Sequence, residues 1–451
     1  MGLGLHSGGL ESARYLALGG ADVTVTDLQD EKTLAPSIAG LEESGKRIRY
    51  VLGRHEMEDF SRADMVVKNP GVKIDSPYLA AAKRIETDIS LFLAGAGAIR
   101  LSAVTGSKGK SSTASALQWI LEAAGRPSFL GGNITVSPLS FLNRLEPGCD
   151  VALELSSWQL GDLALCGAAI KPRVAVVTAI LPDHLDRYES MEAYVADKRL
   201  ICRHQDRSDA LISAADDRWG FFSQSAARPL PCFAAPPEGS AAGGWLDENG
   251  RGLVRLRDGD EVLELLPPRT KSPGRHQKQN LLAAAMAACE LGVAPAVIRG
   301  ALGNFPGIEH RLEWFYEKDG VTFYNDSAAT IPEAAAAAIG ALPAPVAVCG
   351  GTDKNLDFRP LAEAAKKAAA LILLEGTGSD KLIPLLRADG VPFRGPYGDL
   401  ERAVEAAFQA AKPGNSVVLS PGCASFGMFL NEFDRGRRWK AAVLKAAGGG
   451  S

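Results

Sequence analysis

The chain has 451 residues, 46% hydrophobic and 23% charged, with a formal net charge of −4. That length predicts about two to four domains, the composition is that of a globular protein, and the mild negative charge argues against a nucleic-acid partner. The seven cysteines form no CxxC pair, which fits a reducing cytoplasm better than a zinc or disulfide framework. No apolar run approaches the roughly 20 residues of a membrane span.

The start reads Gly2-Leu3-Gly4-Leu5-His6-Ser7-Gly8-Gly9. It lacks the basic start and long apolar centre of a signal peptide. A helix over 11–18 and a strand over 21–26 ending in Asp27 follow. Glycine turn, helix, strand and closing acid outline a nucleotide-binding βαβ unit. The acid can equally cap the next turn, and the first strand of such a unit would precede Gly2.

Residues 99–104 predict a strand that runs into Thr105-Gly106-Ser107-Lys108-Gly109-Lys110-Ser111-Ser112, with a helix over 114–124. Glycines here let backbone N–H groups approach phosphate oxygens. Lys110 can reach the β- and γ-phosphates, and the Ser111 hydroxyl can ligate Mg2+. The position four residues before Gly-Lys-Ser, usually glycine, is Val104, so this is a shorter form of the phosphate loop.

Strands are expected over 151–155 and 174–178. Glu154 closes the first, where open α/β sheets place ligands, and can hold Mg2+ or cap the next helix. Asp183-His184-Leu185-Asp186-Arg187 follows the second, and a His between two acids can bind a divalent ion or phosphate oxygens. Lys198, in a helical stretch over 191–202, reads by itself as a solvated charge. Residues 220–270 suggest a small antiparallel excursion. Asn280, near the start of an Ala-rich helix over 276–291, can pair with a purine edge or simply open the helix.

Residues 308–451 alternate strands (321–325, 345–350, 371–375, 416–420) with Ala-rich helices over 332–342 and 361–370, which argues for a parallel sheet covered on both faces. Arg311 can pair with a γ-phosphate, and Asp326 can take ribose hydroxyls. Surface salt bridges are the alternative for both. Turns at Gly350-Gly351-Thr352-Asp353-Lys354 and Ser420-Pro421-Gly422-Cys423-Ala424-Ser425-Phe426 follow strands. Lys354 and the Ser425 hydroxyl can hold a small anion there.

Taken in order, these motifs resemble the Mur ligases, the ATP-dependent amide-forming enzymes of peptidoglycan synthesis, and their glutamate-adding members most. The family's phosphate loop corresponds to 105–111, its Glu-Leu-Ser-Ser-Phe-Gln-Leu motif to 154–160 with Trp158 for Phe, and its Asp-His-(Leu/Met)-Asp-Arg run to 183–187. Its His-Arg-x-Glu is 310–313, and its Ser-Pro-x-Cys-Ala-Ser is 420–425. The resemblance implies an α/β protein of three domains. These are a Rossmann-like N-terminal domain for a UDP-linked substrate (1–96), a central P-loop ATPase-like domain (97–307), and a Rossmann-like C-terminal domain for the amino acid (308–451).

The expected reaction joins D-glutamate to UDP-N-acetylmuramoyl-L-alanine through an acyl phosphate and a tetrahedral intermediate, in a cytoplasmic monomer using ATP and two Mg2+ ions. The resemblance puts Leu5, His6, Ser7, Asp27, Gly71, Asn133, Ser156 and Gln159 at the UDP substrate. Gly106, Ser107, Gly109, Lys110, Ser111, Ser112, Asn280, Arg311 and Asp326 fall at ATP, and Lys354, Ser425 and Phe426 at glutamate. Ser111 and Glu154 fall at one metal, and His184 and a carbamylated Lys198 at the other, so the family reading of Lys198 replaces the solvated one. Lys110, His184 and Lys198 are the expected catalytic residues.

The chain departs from the family pattern at Lys108 and Ala179 (both usually Asn), Gln277 (Asn), Ala328 (Lys) and Gly427 (Asp). The departures at Ala328 and Gly427 leave D- against L-glutamate open. Rival readings are another Mur ligase, a folylpolyglutamate synthase-like ligase, a nucleotide-binding dehydrogenase built on 1–27, and a non-catalytic ATP-binding regulator.

Overall fold

The computed structural model describes residues 1–5, 7–183 and 187–448. The chain forms two compact units. One contains Met1–Arg269 and Gln279–Gly303, the other Thr270–Lys278 and everything from Asn304.

In the first unit the strand Val23–Asp27 pairs in parallel with Ile48–Leu52, and Val66–Val67 with Ile85–Glu86. Met1 and Gly2 lie between the two pairs. The Gly2 N–H donates to the Thr26 carbonyl, the Asn69 N–H to the Met1 carbonyl, and the Met1 ammonium to the Val67 carbonyl. This is the place a leading βαβ strand would take. A cavity of about 770 Å3 opens beside it, lined by Val23, Val25, Phe60 and Val66 among others, and no residue of the phosphate loop borders it.

The rest of this unit is built on a nine-stranded sheet. Its order is Leu263–Leu266, Gly252–Arg255, Gly243–Leu246, Arg228–Phe233, Ala210–Ala214, Val174–Val177, Arg100–Thr105, Asp150–Glu154 and Ser128–Gly132. All pairings are parallel except those among the first three strands. The antiparallel excursion expected over 220–270 is thus an extension of the main sheet, and only its last two pairings are antiparallel. The Asp247–Gly250 turn, closed by Gly250 N–H to the Asp247 carbonyl at 3.0 Å, is short enough to reverse the chain.

Arg100–Thr105 is flanked by Asp150–Glu154 on one side and Val174–Val177 on the other, strands that come later in the chain. The strand order reverses here, so a crevice opens at the C-terminal ends of these three strands. The helix Lys110–Ala123 leaves that crevice directly. It begins at Lys110, four residues earlier than the sequence suggests, and buries Thr113, Ala114, Ala116, Leu117, Ile120 and Leu121 at helical spacing. The core around Leu101, Ala103, Val151, Leu153, Ala175 and Val177 also takes in Ile89 and Phe92 of the helix Asp88–Gly95. The helix Asp88–Gly95 therefore packs into the core of the central sheet, while Leu3, Ala13, Val23, Val25, Leu34 and Leu41 form a separate core beneath the first strand pair.

The second unit carries a six-stranded sheet ordered Glu313–Lys318, Val321–Asn325, Ser416–Leu419, Val346–Gly350, Ala370–Leu374 and Arg394–Tyr397, parallel except for the first hairpin. Alternation decides its layers. Val346, Val348, Val417 and Leu419 face one core, while Ala347, Cys349 and Val418 face the other. Helices cover both faces, as the continuous apolar strands require.

Candidate active site

Two glycines shape the phosphate loop. At Gly106, with φ 142°, a Cβ would lie 2.0 Å from Thr178 Oγ1. At Gly109, with φ 94°, one would lie 2.3 Å from Asn280 Oδ1. No larger residue fits either place without moving its neighbour. Asn280 therefore packs against the loop itself, and its carbonyl accepts from Thr113 Oγ1 at 3.4 Å.

Lys110 folds back over the loop, donating to the Gly106 carbonyl at 3.0 Å and the Ser107 carbonyl at 3.1 Å. Lys198 donates to the same Gly106 carbonyl at 2.9 Å and lies 4.5 Å from the centre of the Tyr194 ring. It is 1% exposed, which overturns the solvated reading. Tyr194 stands one helical turn earlier and meets Ser107 Oγ at 2.9 Å, so the pair at i and i+4 frames the loop. Burial, then the Lys110 charge, pulls the Lys198 ammonium down to about 7, against the opposing pull of Asp183, Asp197 and Glu154. Burial thus favours the uncharged amine of Lys198 far more than water does.

Glu154 ends the neighbouring strand, in register with Val104 just before the loop, and is 1% exposed. Its Oε1 accepts from Asn133 Nδ2 at 2.9 Å, and the Asn133 N–H binds the Glu154 carbonyl at 2.8 Å. Its Oε2 is buried with no hydrogen-bond partner among the described residues. A buried carboxylate oxygen left unpaired is costly. A hard divalent cation supplies the missing partner, and oxygen donors are what Mg2+ takes. The residues therefore fit such an ion. Asn133, expected at the UDP substrate, is the residue that makes this contact to Glu154.

Two of the departures from the family pattern meet. Lys108 and Ala179 face each other in an isolated backbone bridge, and the Lys108 ammonium lies 3.2 Å from Asp183 Oδ2. His6 and His184 lie outside the described residues.

Ser156 and Gln159 cap the helix Ser157–Leu165. Ser156 Oγ accepts from the Gln159 N–H at 3.2 Å, and Gln159 Oε1 from the Ser156 N–H at 3.0 Å. Asp27 also works locally, accepting from the N–H groups of Gly4 and Gln29. Ser7 Oγ joins two loops, donating to the Thr135 carbonyl and accepting from the Ser137 N–H, both at 2.6 Å. Leu5 is exposed, and the Gly71 N–H closes a turn on Asn69 Oδ1 at 3.0 Å.

In the second unit, Asp326 Oδ1 accepts from the Leu312 N–H at 3.0 Å, which fixes the segment carrying Arg311, and Oδ2 accepts from Ser420 Oγ at 2.6 Å. The turns at 350–354 and 420–426, far apart in sequence, are tied by paired bonds between Thr352 and Ala424 at 3.1 and 2.9 Å. Lys354, Ser425 and Phe426 are thus brought to one end of this sheet. Lys354 and Phe426 are exposed there, while Ser425 is buried.

Models of the Mur ligase MurD-like N-terminal domain, the Mur ligase middle domain and the Mur ligase glutamate ligase domain match residues 1–90, 104–288 and 310–423. The UDP-N-acetylmuramoylalanine--D-glutamate ligase of Treponema pallidum (strain Nichols) is 41% identical, over 98% of this chain and 96% of its own. The enzyme of that name from Roseiflexus sp. (strain RS-1) is 42% identical, over 98% and 97%. The chain belongs to the Mur ligase family. Solved Mur ligases share the fold at low identity. UDP-N-acetylmuramate-alanine ligase MurC from Thermotoga maritima superposes with a TM-score of 0.58 at 18% identity, covering 98% of both chains. MurF ligase from Thermotoga maritima, in complex with ADP, gives 0.56 at 19%, covering 97% of this chain and 98% of its own.

Burial raises the Asp326 carboxyl to about 7, against the Ser420 and Leu312 hydrogen bonds and the Arg311 charge. The unfolded chain ionises this group near 3.8, so stability is lost as pH rises from about 4 to about 7 and stays lost above that. Asp326→Asn will therefore melt a few degrees above the parent at pH 8 and level with it at pH 4. Thermal melting at the two pH values checks this, and an equal difference at both would contradict it.

Proposed function

We propose that this Mur ligase joins D-glutamate to UDP-N-acetylmuramoyl-L-alanine at the expense of ATP, as a monomer in the cytoplasm. The reading is carried by one observation. The half-satisfied Glu154 carboxylate stands beside a Gly-Lys-Ser loop, in a chain that matches D-glutamate ligases over nearly its full length. No helix among the described residues is long and apolar enough to cross a membrane. Residues 1–96 take the UDP-linked acceptor, 97–307 ATP, and 308–451 the amino acid.

A carboxylate resists amine attack because oxide would have to leave. Transfer of the γ-phosphoryl group to the acceptor's alanine carboxylate gives an acyl phosphate and ADP. The glutamate amine then adds to the acyl carbon, loses a proton, and the tetrahedral intermediate expels phosphate as the amide forms. Lys110, released from the Gly106 and Ser107 carbonyls, neutralises charge on the transferring group, and loop N–H groups hold the other phosphate oxygens. Ser111 and Glu154 would hold one Mg2+, and His184 and a carbamylated Lys198 a second. Bound Mg2+ offsets the charge that gathers during phosphoryl transfer. The uncharged Lys198 amine can add to CO2 and release a proton, which turns a buried amine into an anionic oxygen ligand. Arg311 and Asp326 serve the nucleotide, while Lys354, Ser425 and Phe426 serve the amino acid.

Phosphate release tests the reaction. With ATP, Mg2+ and UDP-N-acetylmuramoyl-L-alanine, D-glutamate will drive release and L-glutamate will not. Lys110→Ala will lower kcat by about a hundredfold or more. Release with a folate acceptor alone would reject the assignment. Lys198→Ala will lose most turnover and regain part of it when acetate or propionate is added, since a small carboxylate can stand where the carbamate did. No regain with either acid would count against the carbamate.

A further inference from the structure

One buried ion pair joins two parts of the first unit that the reaction does not explain. Lys68 follows the strand Val66–Val67 and precedes the Asn69-Pro70-Gly71 turn. Its ammonium contacts Asp162 Oδ2, and the two side chains are 0% and 2% exposed. The same ammonium donates to the Asn69 carbonyl at 3.4 Å. Asp162 lies on the helix Ser157–Leu165, which leaves the sheet just after Glu154.

A second cation repeats the link. The Arg187 guanidinium lies 4.0 Å from the centre of the Trp158 ring, on that helix, and donates to the Pro70 carbonyl at 3.5 Å. The helix in turn abuts the one that bears Lys198. A Cβ at Gly161 would come within 2.8 Å of Asp197 Oδ2, which accepts from the Tyr188 hydroxyl at 2.8 Å. Lys68 and Arg187 thus balance Asp162 and Asp197 across a continuous set of contacts from the 69–71 turn to the Lys198 helix.

A buried pair of this kind is a poor source of stability, because an apolar pair of similar volume is often as stable or more so. What it supplies is direction: an ammonium and a carboxylate meet in one geometry, whereas two apolar side chains slide. Gly71 is read above as part of the acceptor site, and the inference rests on that reading. We propose that Lys68 and Asp162 are positioning residues that lock the acceptor-side turn to the Glu154–Lys198 end of the central sheet, so that the acceptor carboxylate is presented to the phosphate loop.

The test compares the full chain with Lys68→Arg, Lys68→Met and the double variant Lys68→Met/Asp162→Leu. Melting, calorimetric binding of UDP-N-acetylmuramoyl-L-alanine, and KM for acceptor and ATP are measured on each. Lys68→Met will melt below the parent, because it leaves Asp162 buried and unpaired. The double variant will recover most of the melting temperature, yet its acceptor KM and dissociation constant will stay raised about tenfold or more, with the ATP KM within about twofold of the parent. Lys68→Arg will keep acceptor binding closer to the parent than Lys68→Met does.

A double variant that binds acceptor as tightly as the parent overturns the positioning role. So does one that fails to fold, or one in which both KM values rise equally, since the pair is then only structural. A parent that binds no acceptor overturns the reading of the site itself, and the proposal with it.

Discussion

Two lysine side chains converge on one carbonyl oxygen. Lys110 and Lys198, 88 positions apart by their numbering (198 − 110), both donate to Gly106. The buried Glu154 carboxylate faces the same crevice with one oxygen satisfied and the other not. Charge of both signs is held in place, largely out of water, where electrostatic interactions act at reduced dielectric. The glycines at 106 and 109 keep that space clear, and the strand reversal around Arg100–Thr105 puts it at the end of the sheet. Phosphoryl transfer needs little else from a protein: positioned cations, a metal ligand set and exclusion of water.

Much of this was legible in the sequence, for a physical reason. The phosphate loop and the strand before it are local features, because glycine, lysine and serine at fixed offsets act through the backbone they share. The parallel rhythm of the second unit was legible in the same way, since Val346–Gly350 and Ser416–Leu419 are apolar on both faces. The hairpin strand Glu313–Lys318 was not legible, because it lies at the sheet edge and mixes Trp314, Phe315 and Tyr316 with charged residues.

Contacts made over long sequence distances were the hardest to read. Lys198 looks like a surface lysine until Gly106, 92 residues earlier, is brought against it. The Lys68–Asp162 pair spans 94 residues, and neither residue belongs to a motif. Nothing in the local sequence of Asn133 foretells that its amide will hold Glu154. The family motif did include Ser156 and Gln159, and the structure gives each a local task as a helix cap. Lys108 and Ala179, separate departures in the sequence, become one feature once the bridge between them is seen.

The central claim is that Glu154 and the lysine-lined loop are built for a magnesium-bound nucleotide. Calorimetric titration of the full chain with a non-hydrolysable ATP analogue, with and without Mg2+, tests it most directly. Mg2+ will tighten binding about tenfold or more in the parent and leave Glu154→Gln nearly unchanged. Equal tightening in both chains would contradict the account.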